Sequence, residues 1–176
     1  MPLFLNRMPF PATASEIVVR GERVRLHADQ IIIWVSLTLR GITNPNPSTS
    51  PFPAILDTGH NHSFSLSERH LTDWAGLRLD RMETRAAIRE RNQRIALRLA
   101  TIWVHPNANG KREPLAEGLP LPLKAKVGIA VYPSGDFPRL PILGLRAIAE
   151  NDLMLKVDGA RREATLRTGG RWWPFS

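Results

Sequence analysis

Phe52-Pro53-Ala54-Ile55-Leu56-Asp57-Thr58-Gly59 is an apolar run that stops abruptly at an acid, a hydroxyl and a glycine. Nothing alternates through Ala54, Ile55 and Leu56, so the pattern predicts a short strand buried on both faces, with Pro53 fitting only its opening. Such a strand delivers Asp57 to the rim of a core. Thr58 offers a hydroxyl to nearby backbone, and Gly59 permits a positive φ or the close approach of another chain. A tight loop that aims a carboxylate is expected here.

Working outward, 31–39 opens apolar and then alternates, with Ser36 and Thr38 set against Val35, Leu37 and Leu39, as a strand with one wetter face would. Asn44-Pro45-Asn46-Pro47 marks the loop that returns the chain to Asp57. Before these, Ile17, Val18, Val19, Val24 and Leu26 around Gly21-Glu22 predict a pair of short strands about a tight turn. After the motif, 67–74 predicts a capped helical turn starting at Ser67 and His70, with Leu71 and Trp74 facing inward. The stretch 77–104 fits two long strands with a turn at Arg91-Asn92. Residues 105–122 are rich in Pro, Asn and Gly and predict a surface loop; 123–132 regains strand character.

At 176 residues the chain suits one domain with small appendages. Fifteen prolines and 12 glycines argue for many turns and short elements, and so for an all-β fold. With no cysteine, disulfides, thiol catalysis and thiolate metal sites are excluded, and a reducing, cytoplasmic location is the expectation. The longest apolar stretch, 31–35, is far short of the ~20 residues of a spanning helix, so no membrane partner is expected. The first eleven residues are broken by Asn6, Arg7 and three prolines and read as an arm rather than a secretory signal. A net charge of +8 raises the question of nucleic acid. Yet the arginines are scattered, and Arg85, Arg89, Arg91, Arg94 and Arg98 are interleaved with aliphatic residues as on a solvated face; nucleic acid is not the partner this pattern points to.

Asp57-Thr58-Gly59, followed downstream by Leu140-Pro141-Ile142-Leu143-Gly144, a helix-like 145–152, then Leu153 to Gly159 and Leu166, resembles the retropepsin-like aspartic proteases. Those are the retroviral-type enzymes with one Asp-Thr-Gly per chain. The resemblance spans residues 30–168, leaving 1–29 as an arm and short hairpin and 169–176 as an aromatic tail. It implies a closed acid-protease-like β-barrel with one short helix, assembled as a two-fold homodimer. It further implies an endopeptidase acting on peptide or protein substrates, with Asp57 catalytic, Thr58 and Gly59 supporting the loop and the dimer, and Ile142, Leu143 and Gly144 supporting the loop from behind. In that frame Arg91 and Asn92 lie at the tip of a flap, although family flaps carry glycines there and this chain has none between Gly76 and Gly110.

Peptide hydrolysis by carboxylates needs one ionised to activate water and one protonated to bond the scissile carbonyl. This chain supplies a single motif, so the second Asp57 must come from another copy. His60, Asn61 and His62 follow directly, as substrate-binding or pKa-tuning groups; protonated imidazoles there would favour an ionised Asp57. Two rival readings remain. His60, His62 and His70 with Asp57 or Asp73 offer donors for a metal such as zinc, although the favoured reading requires no metal or cofactor. A non-catalytic dimeric β-domain with the protease fold could instead serve as a binding or assembly module. No Gly-x-Ser-x-Gly elbow is present, which removes a serine-hydrolase reading.

Overall fold

Short apolar segments separated by Gly, Pro and Asn fold as strands, and the computed structural model describes residues 3–133, 135 and 137–169. In chain order these are β1 (Leu3–Pro9), β2 (Ser15–Val19), β3 (Glu22–Leu26), β4 (Ile32–Leu39), β5 (Phe52–Asp57), β6 (Phe64–Ser67), β7 (Thr84–Glu90), β8 (Gln93–Arg98), β9 (Ala100–His105), β10 (Leu121–Lys124), β11 (Ile129–Tyr132) and β12 (Ile142–Gly144), then helix α1 (Leu145–Glu150), β13 (Leu153–Asp158) and β14 (Glu163–Thr168). The fold is mostly β, as the composition predicts. The expected hairpin about Gly21 is β2–β3, and the expected helix is α1.

Nine strands form one sheet in the order β10-β9-β4-β5-β12-β6-β11-β8-β7; β1-β14-β13 and β2-β3 form two smaller sheets. The closed barrel expected from the family resemblance is not found: β10 and β7 are open edges. One reason lies in β10 itself. Pro122 has no N–H to donate, and the main-chain N–H and C=O of Lys124 are taken by the Asn151 side chain at 2.8 and 3.0 Å. The opposite edge, β7, belongs to a hairpin whose residues are largely exposed.

The main core gathers Leu5 and Met8 of β1, Ile33, Val35 and Leu37 of β4, Phe52 and Leu56 of β5, and Leu143, Ala147 and Leu166. A smaller cluster of Ile95, Leu97, Ala130 and Tyr132 ties β8 to β11. The polar face expected on β4 is covered rather than wet. Ser36 and Thr38 are buried, the former bonded to His105 Nε2 at 2.9 Å and the latter accepting from Trp103 Nε1 at 2.9 Å. Hydroxyls satisfied in this way cost little to bury, so alternation in hydropathy did not mark exposure.

Two other expectations change. Residues 3–9, read as an arm, are strand β1, antiparallel to β14. The run 77–104 forms a short 3-10 turn (Leu79–Arg81) and three strands, because the chain breaks at Leu99 and passes from its pairing with β11 to one with β4. Ser67 does cap the next turn, its Oγ accepting from the His70 N–H at 3.2 Å; His70–Trp74 is a π-helical turn with Leu71 and Trp74 buried. The 105–122 loop is anchored at Asn107, whose side chain bonds the main chain of Asn6, Ala108 and Lys111. The aromatic residues 171–175 lie outside the described residues.

Candidate active site

Strand β5 runs between β4 and β12, and its pairing with β12 is parallel: Ile142 faces Ile55, Leu143 faces Leu56 and Gly144 faces Asp57. Leu56 and Leu143 are buried, so the two strands are fixed by the core at the last residue before the acid. Main-chain bonds from Ile55 N–H to Pro141 C=O at 2.8 Å and from Leu56 N–H to Ile31 C=O at 2.9 Å complete the grip. The chain then turns sharply, with His60 N–H returning to Asp57 C=O at 3.2 Å. Asp57 Oδ1 accepts from the Gly59 N–H at 2.8 Å, so one carboxylate oxygen is spent on its own loop. The Asp57, Thr58 and Gly59 residues are all exposed.

Gly144 forms the wall behind this loop. A Cβ at that position would lie 2.1 Å from the His62 carbonyl oxygen and 2.7 Å from that of His60, so only glycine permits the approach. Its own N–H donates to Ser63 C=O at 3.1 Å. The structure therefore brings together Asp57, Thr58, Gly59, His60, His62, Ile142, Leu143 and Gly144, which lay almost ninety positions apart in sequence. Asn61 is exposed at the surface of the same loop.

The two imidazoles do not pair with Asp57. His60 Nε2 bonds Ser65 Oγ at 2.6 Å, and His62 Nε2 bonds Glu90 Oε2 at 2.9 Å; the rings meet edge to face, centroids 5.4 Å apart. Burial pushes the His60 pKa down from its ordinary 6.5, and a charge on His62 would push it further, against weaker opposing pulls from Asp57 and Glu90. His60 is accordingly neutral at neutral pH. The expectation that a protonated imidazole at this position would hold Asp57 ionised gives way to a ring turned into the sheet.

Glu90 reaches the loop through His62. It ends β7 directly before the tip residues Arg91 and Asn92, both with positive φ (51° and 60°), which make the two-residue turn expected at that place. The carboxylate accepts from His62 and, at 3.0 Å, from Tyr132 Oη. The bond from His62, then that from Tyr132, hold its pKa below the usual carboxylate value; burial and then the Glu90 charge push the Tyr132 phenol up to about 12. Arg91 stacks over Phe137 at 3.8 Å, and Phe137 meets the Tyr132 ring edge-on. The tip of the β7–β8 hairpin is thus fastened at two points. Glu90, Tyr132 and Phe137 escaped the sequence reading, yet one cue was present: Glu90 is the single acid in 84–98, beside the turn.

His70 belongs elsewhere. It stacks on Trp74 with centroids 4.4 Å apart, and among the described residues no group of three or more His, Asp or Glu side chains is placed to hold a metal ion. Comparison with protein-family models, with curated proteins and with solved structures returned no match.

Proposed function

We propose that the chain is an aspartic endopeptidase whose active unit is a two-fold homodimer. The observation that carries this reading is the exposed Asp57 carboxylate at the end of a buried strand, braced by the parallel β5–β12 pairing that sets Gly144 against it. One carboxylate alone cannot both activate water and protonate a carbonyl. The second is Asp57 of another copy, and two carboxylates brought that close share a single proton. The ionised member takes a proton from water as the oxygen attacks the scissile carbonyl carbon; the protonated member gives its proton to the carbonyl oxygen. As the C–N bond of the resulting gem-diol breaks, nitrogen takes the proton that the first carboxylate gained from water, and one gem-diol hydroxyl gives its proton to the other carboxylate, leaving an amine, a carboxylic acid and a singly protonated pair. Thr58 and Gly59 stand beside the acid with exposed surface for the partner loop and for an extended peptide.

Incubation with a diverse peptide library at pH 4 to 7 tests the reading. Wild type is expected to cleave between apolar residues, and Asp57→Asn to lose at least about 10³-fold in rate while remaining folded and dimeric by sedimentation. If both proteins are equally inert at every pH, the enzymatic reading fails and a binding or assembly role replaces it. A strict monomer at micromolar concentration overturns the shared site directly. With +8 on each chain, association is expected to tighten as salt rises.

A further inference from the structure

Strands β4, β9 and β10 carry, at one end of the large sheet, a groove that takes no part in the Asp57 site. The groove encloses about 720 Å³, within the usual range for a small-molecule site, and Arg40, Arg85, Lys124 and Lys126 line it. The fold concentrates this charge. Thr38, Thr101 and Lys124 lie opposite one another across the three strands, so Lys124 rises beside Pro122 and Trp103. Arg40 follows directly on β4, and Arg85 enters from the register shift between Thr84 and Ala86 in β7. No lining residue is acidic, and among the described residues none of the four cations has a carboxylate within 4.0 Å.

Glu150 Oε2 accepts from the Lys126 main-chain N–H at 3.1 Å, but among the described residues none of the four side-chain cations is ion-paired, and four such charges in one concavity repel one another and attract an anion. The floor between them is apolar. Exposed Pro122 and the Trp103 ring, whose N–H is committed to Thr38, share the face of Lys124, and half-exposed Ile42 stands at the rim. An occupant therefore needs a charged head and an apolar body. An extended peptide cannot join by adding a strand to β10, because Pro122 has no donor and Asn151 occupies the main-chain groups of Lys124. The site is remote from Asp57: Ile31, which bonds Leu56, precedes β4, whereas Arg40 follows it, about 26 Å away along eight strand residues.

We propose that this groove is a binding site for a small amphiphilic anion, a carboxylate or phosphate head on an apolar chain. Titration calorimetry on the full chain, with dodecanoate and dodecyl phosphate below their micelle concentrations, provides the test and ranks the two heads. Saturable binding near one equivalent per chain is expected for at least one of them, and none for acetate or dodecyltrimethylammonium. Arg40→Glu/Lys124→Glu should weaken binding at least about tenfold, while the same charge change at Arg23→Glu/Arg25→Glu, an exposed pair on β3 that does not line the groove, should change it less than about threefold. If the first double variant does not melt like wild type, Lys124→Gln/Lys126→Gln replaces it, with a loss of about fivefold expected. Equal binding of the cationic amphiphile, non-saturable uptake, or full affinity in the folded groove variants would overturn the proposal. Every arm can be run in Asp57→Asn protein, so the outcome is independent of the peptidase reading.

Discussion

At Gly144 a single hydrogen stands where any side chain would strike two carbonyl oxygens, both belonging to the loop that carries Asp57. Gly144→Ala is expected to lower stability by on the order of 3 kcal/mol, since backbone on both sides must move, and to reduce any activity by displacing the loop. Urea denaturation reads the first effect; a midpoint within error of wild type would show that the loop yields freely. Both ends of this contact were legible in the sequence by different routes: the apolar run before Asp-Thr-Gly predicts a buried strand that ends abruptly, and the family resemblance alone marks Ile142-Leu143-Gly144 as the loop's support. The histidines were not legible in the same way. Their spacing placed them beside Asp57 but said nothing of ring direction, which is decided by Ser65 and Glu90 on other strands.

Among the elements, the β7–β8 hairpin departs most from a freely moving flap. Its tip lacks glycine, adopts positive φ at Arg91 and Asn92, and is fastened by Glu90 to His62 and Tyr132 and by Arg91 to Phe137. Glu90→Ala should release one of the two fastenings. Amide hydrogen exchange at 88–93 is expected to quicken several-fold, whereas global stability should fall by less than about 1 kcal/mol, because the Glu90 side chain is 38% exposed and its ion pair is screened. Unchanged exchange at the tip would show that the Arg91 stack suffices alone. The turn itself was readable from the alternation on either side of it. The division of 77–104 into three strands was not, because a change of pairing partner at Leu99 leaves hydropathy unaltered.

For the whole molecule, stability should depend on pH through two buried imidazoles. Burial lowers both His70 and His105 from 6.5 to about 4, with Arg69 adding to the effect at His70. The Nδ1 of His70 is buried without a hydrogen-bond partner, so a proton added there would find no acceptor. The unfolded chain takes up these protons first; the contribution is complete above about pH 6.5 and is lost as pH falls through 6.5 toward 4, on the order of 3 kcal/mol per ring. Melting temperatures at pH 7, 6, 5 and 4 should therefore decline before most carboxylates titrate, and His105→Gln should flatten the decline. A level profile from pH 7 to 4.5 would contradict the assignment. The all-β character was evident from composition, but the open sheet order was not, since which edges meet depends on contacts such as Asn151 with Lys124. Sequence distance also has a consequence in time. Strand β1 pairs with β14, and the Arg7–Glu163 bond spans 156 positions. At about 5 to 20 residues per second, a nascent chain would hold β1 unpaired for roughly 8 to 30 s, with Leu5 and Met8 uncovered throughout, so the clasp joining the two ends of the fold is the last part to close and the part most in need of shielding while it waits.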